Sequence, residues 1–252
     1  MKRTIARIAL LTLMGSSVMA QTDSTPTKKK GFGQLLNKVN EVVSGASGSS
    51  LSSNQIAEGL KQALQIGISK GSDQASATDG YYKNALIKIL MPPEAQKLET
   101  TLRKVGLGNQ VDQFILSLNR SAEDAAKKAK PIFLNALTSM SIQDALGILR
   151  GGDNAATNYL KKTTNAQLMA AFTPVIDSTL QKNNATRYYS ELVQTYNKIP
   201  LVTKKVDPNL TNYATTKAID GIFTLVAGEE KRIRENPAAR VTDLLKKVFS
   251  QQ

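Results

Sequence analysis

Carboxylates are the side chains of this sequence that are equipped for acid–base catalysis. Asp79 and Asp220 are each followed by a glycine and then by an apolar or aromatic residue, and Glu123 lies beside a long apolar stripe. Two such groups can cleave a glycosidic bond, because a buried carboxyl stays protonated while its neighbour is charged. A buried aspartate in an apolar helix, as predicted around Asp220, more often holds a neighbouring helix end through hydrogen bonds. These carboxylates therefore fit either a hydrolase or a structural role.

The residue types that are missing exclude most other catalytic mechanisms. The 252-residue chain has no His, no Cys and no Trp. It therefore has no Ser-His-Asp or Cys-His relay, no thiolate nucleophile, no imidazole or thiolate ligand for a metal and no disulfide. No recognised catalytic motif is present either, which favours a protein that is not an enzyme. We expect no cofactor and no metal site.

A glycine pair before a predicted helix is a candidate site for an anion. Gly151 and Gly152 are followed by Asp153, and the free N–H groups at the start of a helix can bind phosphate or carboxylate. In the alternative interpretation, Asp153 caps this helix itself and the two glycines end the preceding one. The sequence favours the second interpretation, because the aspartate already supplies the negative charge that a helix start binds.

Charged residues at helical spacing form a further candidate for ligand binding. Arg120 and Glu123 are three residues apart, and Glu229 and Glu230 precede Arg232 and Arg234 by three and four residues. Such groups either line a polar cleft or form ordinary ion pairs on a helix surface. The two interpretations differ in burial. If Arg120 and Glu123 are buried, a clamp between helices is the better interpretation.

The N-terminus has the pattern of a cleavable secretory signal. Lys2, Arg3 and Arg7 precede an apolar run over 8–14. Small residues then occupy the two positions that a signal peptidase reads, Val18 and Ala20. The run is far shorter than the roughly 20 residues that a membrane span needs. We therefore expect cleavage after residue 20, export across the inner membrane to the periplasm, and no transmembrane anchor.

Excess positive charge predicts anionic partners. The chain has 33 Lys and Arg against 20 Asp and Glu, a formal charge of +13, and removal of the signal leaves 30 against 20, or +10. A protein with this charge is attracted to polyanions. For an exported protein, anionic lipid, lipopolysaccharide or a cell-wall polymer is the available partner, and we expect no nucleic acid. Residues 21–50, rich in Lys, Ser and Gly, are predicted to form a flexible leader.

Helical periodicity dominates the chain after the leader. Ser52 and Gln55 form a capping box, and the helix that follows is predicted to end at Gly71. An apolar stripe over 111–140 is predicted either to kink at Pro131 or to break there into two coaxial helices. Further helices are predicted over 92–105, 142–149, 154–162, 166–181 (with a kink at Pro174), 186–197, 208–234 and 237–250. No stretch alternates convincingly like a strand, since the best candidate, 201–206, is short and holds two lysines.

Two of these helices have faces that predict their packing. Gly59, Ala63 and Gly67 recur every four residues, which permits close approach of another helix or forms the smooth wall of a pocket for an acyl chain. Apolar residues on one face of the last helix are expected to pack into the core. These residues are Leu244, Leu245, Val248 and Phe249.

The order of several motifs resembles a known family. The motifs are LSSNQIAEGLKQAL, DGYYKNALIKILMP, NRSAEDAAKKAKPIF, GGDNAATNYLKKTT and AIDGIFTLVAGEEKRIRENPAARVTDLLKKVF. Together they resemble a bacterial family designated domain of unknown function 4197, over about residues 51–250. The resemblance implies an exported, mostly helical protein of bacteria with an outer membrane. It implies no activity and no site residues.

These observations predict an all-α, single-domain bundle of about eight helices over 51–252, preceded by the signal peptide and the leader. The favoured function is a non-catalytic exported binding or scaffold protein that engages an anionic component of the envelope. One alternative is a carrier of a hydrophobic or lipid ligand within the bundle. The other is a carboxylate-based hydrolase that acts on a cell-wall polymer.

Overall fold

The described part of the chain is entirely helical in its regular structure. The computed structural model describes residues 51–182, 184–198, 205–207, 209–236 and 243–249, and no strand occurs among them. This confirms the predicted all-α, multi-helix fold. The predicted signal peptide and leader lie outside the described residues.

The helices follow one another with short connections. In chain order they are α1 (Ser53–Ser76), a 3-10 turn (Pro93–Ala95), α2 (Gln96–Lys104), α3 (Gly108–Ala126), α4 (Ala129–Thr138), α5 (Ile142–Arg150), α6 (Ala155–Lys182), α7 (Ala185–Asn197), α8 (Leu210–Glu235) and α9 (Asp243–Phe249). The longest helices form the centre: α6 and α8 pack along each other, α1 packs on α8, and α3 packs on α6. Phe133 of α4 and Phe223 of α8 meet edge to face in the core, with ring centroids 5.6 Å apart.

Helix α1 begins as predicted but does not end at Gly71. The Ser52 hydroxyl accepts a hydrogen bond from Gln55 N and the Gln55 side chain accepts one from Ser52 N, which confirms the capping box. The helix then continues through Gly71 to Ser76. A side-chain carbon built on Gly71 would lie 3.4 Å from the backbone nitrogen of Val226 in α8. This glycine therefore permits a close helix crossing instead of ending the helix.

The small residues of α1 lie against other helices. A carbon built on Gly59 would lie 2.9 Å from Val248 Cγ2 of α9, and one built on Gly67 would lie 3.3 Å from Glu229 Cβ of α8. Both glycines are buried, as is Ala63. The packing interpretation therefore accounts for this line of small residues, which α8 and α9 cover.

The predicted packing of the last helix is confirmed where its side chains are described. Leu244 and Val248 are each 1% exposed and pack against Gly59 of α1. The side chains of Leu245 and Phe249 lie outside the described part. The C-terminal helix is thus a part of the core that covers the N-terminal one.

The stripe over 111–140 breaks close to its proline, as predicted. Helix α3 ends at Ala126 and α4 begins at Ala129, which places Pro131 in the first turn of α4, where its missing N–H costs little. Among the described helices, none alone has the length and hydropathy of a membrane span. The stretch 108–138 and α5 meet both criteria only together, and they are bent by 106° relative to each other.

Helix α6 corrects the prediction of two separate helices over 154–162 and 166–181. Its buried face continues without interruption through Leu160, Thr164 and Leu168. Thr164 can occupy this face because its hydroxyl donates a 2.6 Å hydrogen bond to the carbonyl of Leu160. Pro174 lies inside the helix without ending it.

Candidate functional site

Three of the sequence candidates meet at one end of α3. Arg120 Nη1 donates to Glu123 Oε2, and Arg120 Nη2 donates to Asp79 Oδ1, both at 2.6 Å. Asp79 comes from the turn after α1, so the guanidinium ties that turn to α3. The cluster is deep on one side, because the Glu123 side chain is 5% exposed, and accessible on the other, where Arg120 is 35% exposed.

Glu123 uses both of its carboxylate oxygens within the protein. Its Oε1 accepts hydrogen bonds from the backbone nitrogens of Tyr81 and Tyr82, at 3.1 and 3.2 Å, while Oε2 binds Arg120. With these partners the buried carboxylate is hydrogen-bonded through both oxygens, and it accepts from two backbone N–H groups of the turn that have no helical partner. Glu123 is therefore a clamp on the turn, and a general acid or base would need an oxygen directed at a substrate.

Asp79 is held in its charged form. A hydrogen bond from Lys83, whose Nζ lies 2.8 Å from Oδ2, and a second from Arg120 lower the pKa of Asp79 below its ordinary value of 3.8. A general acid in glycoside cleavage needs the opposite shift. Asp79 also has a φ of 67°, which fits its place in a tight turn, because Asp adopts this left-handed conformation more readily than most residues.

Asn119 extends the clamp and was not recognised from the sequence. This buried residue accepts a 2.8 Å hydrogen bond from Ile89 N and donates one of 2.8 Å to Ile89 O. Its amide therefore pairs with both backbone groups of Ile89, as a neighbouring strand would. The available signal was its spacing, since Asn119, Arg120 and Glu123 lie within about one turn of α3.

Tyr81 fixes the same turn to α8. The side chain is fully buried, and its hydroxyl donates a 2.6 Å hydrogen bond to the carbonyl of Ala218. Burial raises the pKa of Tyr81, with the nearby charge of Glu123 acting in the same direction. The ring lies directly over Gly221, where any side-chain carbon would approach Tyr81 Cε1 to 2.6 Å. The turn is thus attached to α3 by polar groups and to α8 by an aromatic ring.

Asp220 does not join the cluster. Its carboxylate is 49% exposed and forms a 3.9 Å ion pair with Lys161 of α6. Asp79 pairs with Lys83 and Arg120 instead. Each of the two aspartates is therefore paired with cations, whereas the hydrolase alternative requires one protonated carboxyl beside a charged one.

The glycine pair lies beside a second clamp, whose carboxylate comes from another helix. Glu230 of α8 accepts hydrogen bonds from the backbone nitrogens of Ala156 and Thr157, at 3.0 and 2.9 Å, and from the Thr157 hydroxyl at 2.8 Å. These are the N–H groups at the start of α6 that the anion-site interpretation assigned to a ligand. The protein fills this site with its own buried glutamate.

The residues of the candidate anion site have different roles from those predicted. Asp153 is exposed and makes no hydrogen bond to the described residues, so the capping assigned to it is provided by Glu230. Asn154 has a φ of 67°, and α6 accordingly begins at Ala155. Gly151 ends α5, where a side-chain carbon would lie 2.7 Å from Ala155 Cβ; Gly152 is exposed.

Arg234 completes the second clamp. Its guanidinium donates to Glu230 Oε1 at 2.9 Å, to the carbonyl of Ile148 at 2.9 Å and to that of Gly151 at 3.3 Å. The pair is largely buried, at 14% and 4% side-chain exposure. One ion pair on α8 thus satisfies both the C-terminal carbonyls of α5 and the N-terminal nitrogens of α6. The charged residues over 229–234 also include a surface pair between Glu229 and Arg232.

Comparison with known proteins gives a family. The family model described as "Protein of unknown function (DUF4197)" matches residues 50–250, which includes every described helix. The match agrees with the range over which the motifs resemble that family. No curated protein and no solved structure matches the chain.

Proposed function

The chain belongs to the DUF4197 family of proteins of unknown function, and from the chemistry of its described residues we propose that it is a non-catalytic binding or scaffold protein. In this proposal the protein is exported and engages an anionic component of the cell envelope. The family description supplies no activity, so the argument depends on how the charged groups are used.

The observation that carries the proposal is the difference in burial and pairing between two buried glutamates and a set of exposed lysines. The two buried glutamates, Glu123 and Glu230, are used in clamps on the backbone, each paired with an arginine. Lysines, by contrast, project from several helices without a carboxylate partner among the described residues. Exposed examples are Lys70, Lys97, Lys104, Lys128, Lys182 and Lys217. The protein thus uses two of its carboxylates in internal clamps, and it presents lysines without a carboxylate partner on the surface of its described part.

A diffuse cationic surface suits an extended polyanion more than a small ligand. The exposed lysines belong to α1, α2, α6, α8 and the connection between α3 and α4, so no single helix carries them all. Each cation adds roughly 1 kcal/mol of attraction to a negatively charged membrane surface, an effect that salt screens. The three adjacent lysines of the predicted leader, over 28–30, add charge of the same sign.

The two alternatives have less support. A carrier needs an apolar wall that is open to its ligand, and the small residues of α1 that suggested one are covered by α8 and α9. A carboxylate-based hydrolase needs one protonated and one charged carboxyl side by side. Asp79 is held charged by two cations, and Asp220 pairs separately with Lys161.

Vesicle binding tests the proposal. The chain from residue 21 onward is mixed with vesicles of anionic phosphatidylglycerol or zwitterionic phosphatidylcholine, with lipopolysaccharide, or with isolated cell-wall polymer. We expect binding to at least one anionic material and none to the zwitterionic vesicles. Raising the salt from about 50 mM to about 500 mM should remove most of the binding. Equal binding to zwitterionic and anionic vesicles, or no binding to any of the anionic materials, would contradict the proposal.

A matched pair of variants separates charge from other surface effects. Changing Lys70, Lys97 and Lys217 to Gln should weaken binding at low salt by at least about tenfold, because each lysine contributes roughly 1 kcal/mol. Changing the exposed Gln143 and Gln167 to Ala leaves the charge unchanged and should leave binding unchanged. Equal losses in both variants would show that positive charge is not the determinant.

A further inference from the structure

Residues 82–90 form a segment that Glu123 and Asn119 of α3 hold near its two ends, and this segment carries two exposed leucines. Within residues 82–90, Leu86 is 80% exposed and Leu90 is 52% exposed, whereas Ile87 and Ile89 are 5% and 2% exposed. A single exposed leucine is ordinary on a protein surface. Here two leucines are exposed in a segment whose two isoleucines are buried, so the large aliphatic side chains are divided between the surface and the core.

Hydrogen bonds fix the backbone of this segment at both ends and in the middle. Glu123 holds its start through the nitrogen of Tyr82, and Asn119 holds its end through Ile89. In the middle, the Asn84 side chain accepts a 3.1 Å hydrogen bond from Leu86 N, and its carbonyl accepts one of 2.8 Å from Lys88 N. Leu86 is therefore presented to a partner on an ordered backbone, and binding does not add the entropy cost of ordering this segment.

The exposed leucines are flanked by cations and an aromatic ring. Lys83 is 72% exposed, and the Lys88 ammonium lies 4.3 Å from the centre of the Tyr82 ring. Apolar side chains that enter a bilayer boundary are commonly accompanied by lysines, which bind lipid phosphates, and by tyrosines at the headgroup level. We call the exposed Leu86 the tip of this segment. An apolar tip with lysines and a tyrosine beside it is complementary in charge and polarity to an anionic lipid surface.

We propose that residues 82–90 form a contact site for anionic phospholipid, in which Leu86 enters the boundary between headgroups and acyl chains. The proposal rests on the proposed function and adds to it the site and the lipid class. Lys88 binds a phosphate beside the inserted leucine, and Lys83, whose ammonium also pairs with Asp79, binds a second one. The clamps formed by Asn119 and Glu123 hold the tip rigid while it is inserted.

Fluorescence provides a direct test, because the chain has no Trp. Leu86→Trp places a single reporter at the tip, and Val105→Trp places one in the turn after α2, where the native side chain is 65% exposed. On vesicles that contain phosphatidylglycerol, the emission of Leu86→Trp should shift to the blue and be quenched by brominated lipid. The emission of Val105→Trp should change in neither respect.

Binding measurements complete the test. Leu86→Ser should weaken binding to phosphatidylglycerol vesicles by about tenfold, since most of a leucine side chain is no longer removed from water. Val105→Ser is the matched control and should bind as the native chain does. Circular dichroism checks that both variants keep the helical fold. We expect that they do, because the native side chains at both positions are exposed.

The outcomes distinguish this inference from the proposed function. If the native chain binds anionic vesicles but Leu86→Ser binds equally well and Leu86→Trp shows no shift, residues 82–90 are not the contact site, while the proposed function stands. The same holds if Val105→Ser loses as much binding as Leu86→Ser. If the native chain binds lipopolysaccharide or wall polymer but no phospholipid, the inference about residues 82–90 fails, while the proposed function stands. If it binds no anionic material, both proposals fail.

Discussion

Gly221→Ala should destabilise the protein although it replaces glycine inside a helix. The new carbon would lie 2.6 Å from Tyr81 Cε1 and 3.3 Å from Ile87 Cβ. The ring of Tyr81 has little freedom to withdraw, because it is fully buried and its hydroxyl is bound to the carbonyl of Ala218 at 2.6 Å. Either the ring or the helix must move, and both movements disturb the attachment of the turn after α1.

The expected size follows from two opposing effects. Replacing glycine by alanine in a helix interior stabilises by about 0.8–1 kcal/mol. Overpacking a core typically costs about 1–3 kcal/mol, and a buried hydroxyl that loses its partner costs about 1–3 kcal/mol more. The net change should be a loss of about 2 kcal/mol in the free energy of unfolding. For a domain of this size, such a loss lowers Tm by about 4–8 °C.

Gly228→Ala is the matched control, because it makes the same substitution in the same helix. Gly228 is exposed, and no described atom outside its own helix turn lies within 4 Å of the added carbon. It should raise the free energy of unfolding by about 0.5–1 kcal/mol. Urea unfolding followed by circular dichroism measures both variants. If Gly221→Ala stabilises the protein as much as Gly228→Ala does, Tyr81 is not seated on α8.

Three further changes test the clamps and the last helix. Glu230→Ala should cost about 3–5 kcal/mol in urea unfolding, because it leaves a buried guanidinium and the first nitrogens of α6 without their partner. Leu244→Ala should cost about 2–5 kcal/mol in the same assay, since its side chain is 1% exposed. Asp79→Asn should lower Tm at about pH 5 but not at about pH 2. The stabilisation that accompanies a depressed pKa is present above the ordinary value of 3.8 and is lost as the pH falls through the lower, folded value.

Each of these changes has a control on the surface or in its own pH profile. Glu235→Ala removes an exposed carboxylate of α8 that is 3.7 Å from Lys231, and Lys246→Ala removes an exposed cation of α9. Both should change stability by less than about 0.5 kcal/mol. If these control variants lose as much free energy of unfolding as Glu230→Ala and Leu244→Ala do, burial of the side chain does not determine the loss of stability. A constant difference in Tm between native and Asp79→Asn protein from pH 5 to pH 2 would refute the ionic role of Asp79.

Features that depend on neighbouring residues could be predicted from the sequence. The capping box of Ser52 and Gln55 involves residues three apart, so the start of α1 was predicted correctly. The break near Pro131 follows in the same way, because the missing N–H of proline acts on its own turn. The pairing of Arg120 with Glu123 was also visible in their spacing, although its burial was not.

Features that depend on distant residues could not be predicted. A glycine ends a helix or permits a close crossing, and only the position of α8 beside Gly71 decides between the two. Asp153 is a good capping residue by its type, but Glu230, more than 70 positions away, already occupies the nitrogens of α6. Asp79 joined the cluster because the fold brings the turn after α1 to α3, and the sequence contains no signal for that meeting.

The contacts of α1 with α8 and α9 have a consequence for synthesis on the ribosome. The partners of Gly59, Gly67 and Gly71 in α8 and α9 lie about 155 to 190 positions further along the chain. At the usual speed of translation these partners emerge roughly 10–40 s after α1. During that time α1 can pack on α3, α4 and α5, but the glycines that later contact α8 and α9 stay uncovered. The domain therefore completes its core only after nearly the whole chain has left the ribosome, and truncated chains that lack α9 should be exposed to chaperones and proteases.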